Sequence, residues 1–280
     1  MTIALGFRCK DGVVIASDSH YTQDISKTRG QKIFIIPTNG YYALTIGGAG
    51  GSNQIKWTVS EIQRSLAEEI GERTSTILEI RQITESVLRK SYIDHVDAAP
   101  LEEQRWLEFG LLIGMWTPKE RSILFKSQRD IVVQVDTPNH VSIGAGSYLT
   151  EYVLGALFDR TWMLSADEAT SVAAYIVTMA KEHVDGCGGS TFVRVLDDDG
   201  HDVRIGNDEV ENAVEYFTEL FRWTSSLRGF LSSGLDLANI DMLPYANILR
   251  DNVIKFRKYQ DERRGRSKDL IARHGKKPIE

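Results

Sequence analysis

The chain has 280 residues, 42% hydrophobic and 26% charged, a balance that can fill a packed core and lies far from the composition of disordered chains. The length is generous for one domain and short for two, so one substantial core with an appendage is expected. A formal net charge of -6 argues against a general nucleic-acid binder, and the two cysteines, Cys9 and Cys187, exclude a disulfide framework or a multi-cysteine zinc module.

The first residues, Met1-Thr2-Ile3-Ala4-Leu5-Gly6-Phe7, lack the basic and apolar regions of a secretory signal. No apolar stretch approaches the roughly 20 residues of a membrane span. A cytoplasmic protein without membrane or nucleic-acid partners is the expectation.

Residues 2–8 and 12–18 are apolar and β-branched around Lys10-Asp11-Gly12, which predicts a hairpin. A polar loop is expected over 19–31, then a second hairpin from 32–37 and 41–46 that ends in Gly47-Gly48-Ala49-Gly50-Gly51. Ile55, Val59, Ile62, Leu66 and Ile70 keep helical spacing over 52–71, and a further helix is predicted over 76–93. Strands follow at 109–116, 122–125, 131–135 and 141–143. A helix is expected from Gly146 towards Asp159, and another after Ser165, where Glu168 completes a capping box. Gly186-Cys187-Gly188-Gly189 breaks that helix before strands at 191–196 and 202–205. Runs of strands separated by helix pairs predict an α+β protein with antiparallel sheets and outer helices. After Asn207 the character turns helical, and between Lys255 and Lys277 ten Lys/Arg stand against three acids, a solvated helix or tail.

Thr2-Ile3-Ala4-Leu5-Gly6-Phe7, Asp11 to Ser19, Lys32-Ile33-Phe34 and Gly47-Gly48-Ala49 together resemble the N-terminal half of a proteasome β subunit. Ser142-Ile143-Gly144-Ala145-Gly146-Ser147 is similar to that family's Gly-Ser-Gly-Ser segment, and Gly188-Gly189 to its late Gly-Gly pair. The resemblance covers Thr2 to about Gly200 and implies a four-layer αββα N-terminal nucleophile hydrolase domain at 2–207. Residues 208–280 are then a helical, basic-ended C-terminal extension.

The chemistry follows from the residue types. A threonine hydroxyl needs a base, and a terminal threonine carries one in its own α-amine, provided Met1 is removed. The resemblance makes Thr2 the nucleophile, Lys32 the cation that favours the neutral amine and Asp18 the lysine's partner. The Asp18–Lys32 interval is two residues shorter than the family's, implying a shortened loop. Singly, Lys32 reads as a strand-edge lysine and Asp18 as a turn former; it is their conjunction with Thr2 that carries weight.

By the same resemblance Gly47 donates its amide to the oxyanion, although a Gly-Gly pair also simply makes a turn, and Ser147 supports the amine, although it also suits a helix N-cap. The gap-free register places the family's supporting aspartate on Val184 and its later serine on Cys187; a one-residue slip selects Asp185, which is taken as the candidate. Tyr21, Thr45, Ala49 and Asn53 are expected to wall the substrate pocket. Cys187 lacks the histidine partner of a cysteine nucleophile, and His183 suits a helix cap better than catalysis. No cluster has metal-ligand spacing, and the Gly47–Gly51 run lacks the lysine of a phosphate loop, so no metal and no cofactor are expected.

The implied function is a threonine endopeptidase acting on polypeptide or peptide as a ring-like homo-oligomer, with room for an ATPase or other protein partner. The alternatives are a non-peptide amidohydrolase of the same fold and a non-catalytic ring subunit.

Overall fold

The computed structural model describes residues 2–23, 26–37, 40–157 and 163–232, with 250, 251, 254 and 258. Two compact units divide between Val214 and Glu215, inside a helix and a little beyond the boundary expected at 207.

In the first unit, β1 (Ile3–Arg8) and β2 (Gly12–Ser17) form the predicted hairpin. The segment expected as a polar loop contains a small hairpin, β3 (His20–Gln23) with β4 (Ser26–Arg29). Its short strands, His-Tyr-Thr-Gln and Ser-Lys-Thr-Arg, are mostly polar, so no alternation of apolar and polar residues announces them. β5 (Ile33–Ile36) pairs with β6 (Ala43–Gly50), which runs on through the glycines where the sequence suggested an end. The predicted turn residues Thr38 and Asn39 lie outside the described residues.

α1 (Ser52–Glu69) buries Ile55, Val59, Ile62 and Leu66 on one face, each side chain contributing about 1.5–3 kcal/mol. α2 (Ile77–Ser91) opens on a capping box in which the Thr76 hydroxyl and the Glu79 carboxylate each take up one of the helix's first amides. It passes into a π-helical turn at Tyr92–Asp97, and a short α3 (Leu101–Leu107), absent from the sequence reading, precedes the next strand. α3 buries none of its residues, so it lacks the periodic apolar face that reveals a helix.

β7 (Phe109–Thr117), β8 (Glu120–Gln128), β9 (Ile131–Gln134) and β10 (His140–Gly144) follow. Next come α4 (Ser147–Leu157), whose predicted continuation to Asp159 lies outside the described residues, and α5 (Ala166–His183), capped by the predicted Ser165–Glu168 box. β11 (Phe192–Asp197), β12 (Asp202–Arg204) and α6 (Asn207–Ser232) complete the order, α6 running into the second unit.

The strands form two five-stranded antiparallel sheets, β10-β1-β2-β11-β12 and β5-β6-β7-β8-β9. Ala4, Val13, Ile15, Ile33, Leu112, Leu124 and Ile143 pack between them. α1 and α2 close the outer face of the second sheet over Leu44, Ile46, Leu111 and Ile113, and α5 with α4 covers the first. The result is the expected α+β sandwich in four layers. Among the described residues no helix is long and apolar enough to cross a membrane. Of the second unit, only the continuation of α6 and four further residues are described, and most of the basic stretch between Lys255 and Lys277 falls outside them.

Candidate active site

Hairpin geometry assembles the site. β1 and β2 pair Ala4 with Ser17, so the residue after β2, Asp18, returns beside the start of β1, where Thr2 stands. Lys32 immediately precedes β5 at the same end of the sandwich. Thr2, Asp18 and Lys32 are buried, the latter two completely, an arrangement that costs heavily unless each charge is paired.

They pair with one another. The Thr2 hydroxyl donates to Asp18 Oδ1 at 2.6 Å, the Lys32 ammonium donates to the same oxygen at 2.6 Å, and it also donates to the Thr2 hydroxyl oxygen. The Ile3 amide adds a third bond to Oδ1 at 3.1 Å. Oδ2 accepts from the amides of His20 at 3.3 Å and Gly188 at 3.0 Å. Five donors therefore converge on one carboxylate, which satisfies its buried oxygens and fixes Lys32 against Thr2. Burial lowers the Lys32 pKa from its ordinary value, and the charge and hydrogen bond of Asp18 oppose that shift.

Tyr21 lies beneath this group, its ring centroid 5.1 Å from Lys32 Nζ and its hydroxyl donating to the Gln31 carbonyl. Burial, with Asp18 adding to it, pushes the Tyr21 pKa up to about 12, so it acts as a neutral wall and donor. Ala49 packs in the core between the sheets near Gly144. The other two wall candidates are placed differently: the Thr45 hydroxyl donates to Asp202, and Asn53 is exposed on the first turn of α1.

The Ser142–Ser147 segment wraps the backbone of Thr2. Gly144 pairs with Ile3, and the Gly146 amide donates to the Thr2 carbonyl at 3.3 Å. Gly144 has φ 90°, and a Cβ there would stand 2.3 Å from the Thr2 carbonyl oxygen. Gly144→Ala should therefore displace Thr2, add about 1–3 kcal/mol of backbone strain and cut amide hydrolysis more than tenfold. Thermal denaturation beside a fluorogenic peptide assay checks this; an alanine variant with wild-type stability and turnover would contradict it. Ser147 is half-buried at the start of α4, and its carbonyl accepts from the Ser142 hydroxyl at 3.2 Å.

Gly47 and Gly48 are both explained by layer packing. A Cβ on Gly47 would come 2.7 Å from Ile15 across the sheets, and one on Gly48 2.7 Å from Ile55 of α1. Their amides differ in direction. Gly48 N–H donates to the Lys32 carbonyl at 2.9 Å, and successive amides of an antiparallel ladder point to opposite edges, so the Gly47 amide points towards β7. The register therefore turns the amide of Gly47, the oxyanion candidate, away from the Lys32 edge, where Gly48 gives its own amide to the Lys32 carbonyl.

Asp185 is exposed in the turn after α5 and, among the described residues, makes no hydrogen bond to this group. The neighbouring Cys187 is instead buried, close enough to Lys32 for its sulfur to favour the ammonium form. Gly188, matched only as part of a motif, supplies an amide to Asp18; the Cys187 position had been flagged by the register, whereas nothing in the sequence marked His20.

A four-layer αββα sandwich with a threonine, aspartate and lysine joined at its N-terminal edge has the architecture of the N-terminal nucleophile hydrolases. The profile of the family described as proteasome subunit matches residues 2–195, and the chain belongs to that family. Membership makes it an N-terminal-nucleophile-type peptidase or proteasome-like subunit in general terms. The proteasome subunit beta of Archaeoglobus fulgidus is 29% identical over 222 residues, 77% of this chain and 94% of that protein. Among solved structures, a Gly-1 mutant of Anbu from Hyphomicrobium sp. strain MC1 superposes with a TM-score of 0.67 at 16% identity, covering 82% of this chain and all of that one. Anbu of Yersinia bercovieri, described as an ancestral beta-subunit, gives 0.65 at 16% identity over 84% of this chain and 99% of its own. The helical assembly of the Anbu complex from Pseudomonas aeruginosa gives 0.65 at 15% identity, over 85% and 100%. At these identities the structures speak for the fold.

Proposed function

We propose that the protein is a threonine peptidase in which Thr2, made N-terminal by loss of Met1, cleaves peptide bonds through an acyl ester. The observation that carries this reading is the buried group itself: a non-catalytic subunit has no use for a lysine and an aspartate, both wholly buried and both bonded to the hydroxyl of the second residue. Placing two charges in a core for stability alone compares poorly with filling the same volume by apolar side chains.

The freed α-amine takes the Thr2 hydroxyl proton as the oxygen bonds to the substrate carbonyl carbon. The scissile C–N bond then breaks, the leaving nitrogen receives the proton, and water hydrolyses the ester to regenerate the threonine. Lys32 favours a neutral amine and stabilises charge on the threonine oxygen, while Asp18 holds the lysine in place. Ser147 and Asp185 stay as candidates for supporting the amine, and Tyr21, Thr45, Ala49 and Asn53 for contacting the substrate. A non-peptide amide would meet the same chemistry, so the substrate class is a matter for assay.

A cytoplasmic homo-oligomer fits this reading, supported by the helical assembly described for the Pseudomonas aeruginosa relative. An ATPase partner would accord with a polypeptide substrate, and the 208–280 extension is proposed as its docking or assembly element.

Intact mass spectrometry with a β-lactone tests the nucleophile directly. The expected spectrum shows protein lacking Met1 that gains one equivalent of acyl mass, and Thr2→Ala should gain none. Equal labelling of the alanine variant would refute Thr2 as the nucleophile.

A further inference from the structure

A second lysine stands near the catalytic group, and the reaction as derived leaves it without a part. Lys181, in the last turn of α5, is half-buried, and its ammonium donates to the Gly189 carbonyl at 3.3 Å. The residue before, Gly188, supplies one of the five donors on Asp18. The same turn is tied from the opposite strand end: the Ser19 amide donates to the Gly188 carbonyl at 3.1 Å and the Ser190 amide to the Ser19 hydroxyl at 2.8 Å. The His20 ring lies so close that a Cβ on Gly188 would fall 2.4 Å from its Nδ1. Lys181 thus connects to Thr2 through Gly189, Gly188 and Asp18, without touching the reacting atoms.

We propose that Lys181 is a positioning residue of the active site, holding the Gly188–Gly189 turn on Asp18 and keeping a second positive charge beside the carboxylate that neutralises Lys32. The proposal builds on the reading of Thr2 as a nucleophile activated by its own amine. Asp18 is ion-paired with Lys32, and its charge reaches Lys181 through space. Burial lowers the pKa of both lysines, and Asp18 raises both. The charges acting on Lys181 are Asp18, from the end of β2, and Glu182 on its own helix; β1, β11 and α4, which also pack on α5, contribute none among the described residues, and Cys187 and His20 border the turn. A positive charge here opposes protonation of Lys32 and of the freed α-amine, so the base becomes available at lower pH.

The test compares Lys181→Met, Lys181→Gln and Lys181→Arg. In the two neutral variants the acidic limb of kcat/KM should move up by about 0.5–1 pH unit, the effect of removing one unit charge several ångströms away in a partly screened site. Arginine should leave the limb in place, whatever it does to kcat. In parallel, lysines labelled with carbon-13 at Cε report the titration of Lys32 by NMR without any turnover. Its midpoint should rise in the methionine and glutamine variants and hold in the arginine variant. A Lys32 midpoint that stays put in a folded neutral variant overturns the inference even if hydrolysis is normal. Equal losses of kcat in all three variants with an unmoved limb overturn it as well, reducing Lys181 to packing. Absence of hydrolysis in the wild type would instead count against the nucleophile reading, with the NMR titration still deciding the role of Lys181.

Discussion

Lys32→Met should abolish peptide hydrolysis to within roughly a hundredth to a thousandth of the wild-type rate, because it removes the charge that favours a neutral amine and steadies the threonine oxygen. The side chain is wholly buried, so methionine fills much of the volume and the loss is electrostatic. Removing one partner of a buried ion pair costs about 3–5 kcal/mol in general. Here the low end is expected, since Asp18 retains the Thr2 hydroxyl and the amides of Ile3, His20 and Gly188. The variant should therefore fold and be assayable. Lys32→Arg should not restore activity: a planar guanidinium cannot occupy a site closed on Asp18, Thr2 and the Tyr21 ring. Full turnover by the arginine variant would show that Lys32 takes no part. A fluorogenic peptide assay with thermal denaturation reads both rate and stability.

The parts of this site that were legible in the sequence share one property: they are fixed by strand ends. Thr2, Asp18 and Lys32 each flank a strand of alternating or continuous apolar residues, so predicting two hairpins was enough to bring them together. What escaped depends on direction rather than position. Whether the Gly47 or the Gly48 amide faces β5 is decided by the parity of the β5–β6 register, and the sequence placed the end of β6 at Ile46, short of the residues concerned. Asp185 and Cys187 sit in a turn closed by three glycines, where a one-residue slip exchanges the half-buried Val184 for the exposed Asp185. Lys181 had no signal, because a lysine in a final helical turn is what the helix dipole favours on any surface. The β3–β4 hairpin escaped for a related reason: its polar strands carry no hydrophobic period from which to read them.

A protein that keeps Met1 should be inert, and this expectation separates an N-terminal nucleophile from every mechanism that uses Thr2 as an ordinary hydroxyl. With Met1 attached, the nitrogen of Thr2 belongs to a peptide bond, and a peptide nitrogen has no basic lone pair with which to take the hydroxyl proton. The rest of the group cannot substitute. The oxygens of Asp18 are taken up by five donors, and Lys32 as an ammonium has no lone pair to offer. Inserting leucine between Met1 and Thr2 should block methionine removal, because the residue after methionine must be small for the aminopeptidase, and should lower hydrolysis by at least about a hundredfold, the smaller end of what a positioned base contributes. A cleavable leader ending directly before Thr2 should give silent protein that becomes active when the leader is cut. Intact mass and N-terminal sequencing on the same samples identify the terminus, and the fluorogenic assay gives the rate. If fully active protein begins with methionine, the base lies elsewhere and Thr2 does not work through its own amine.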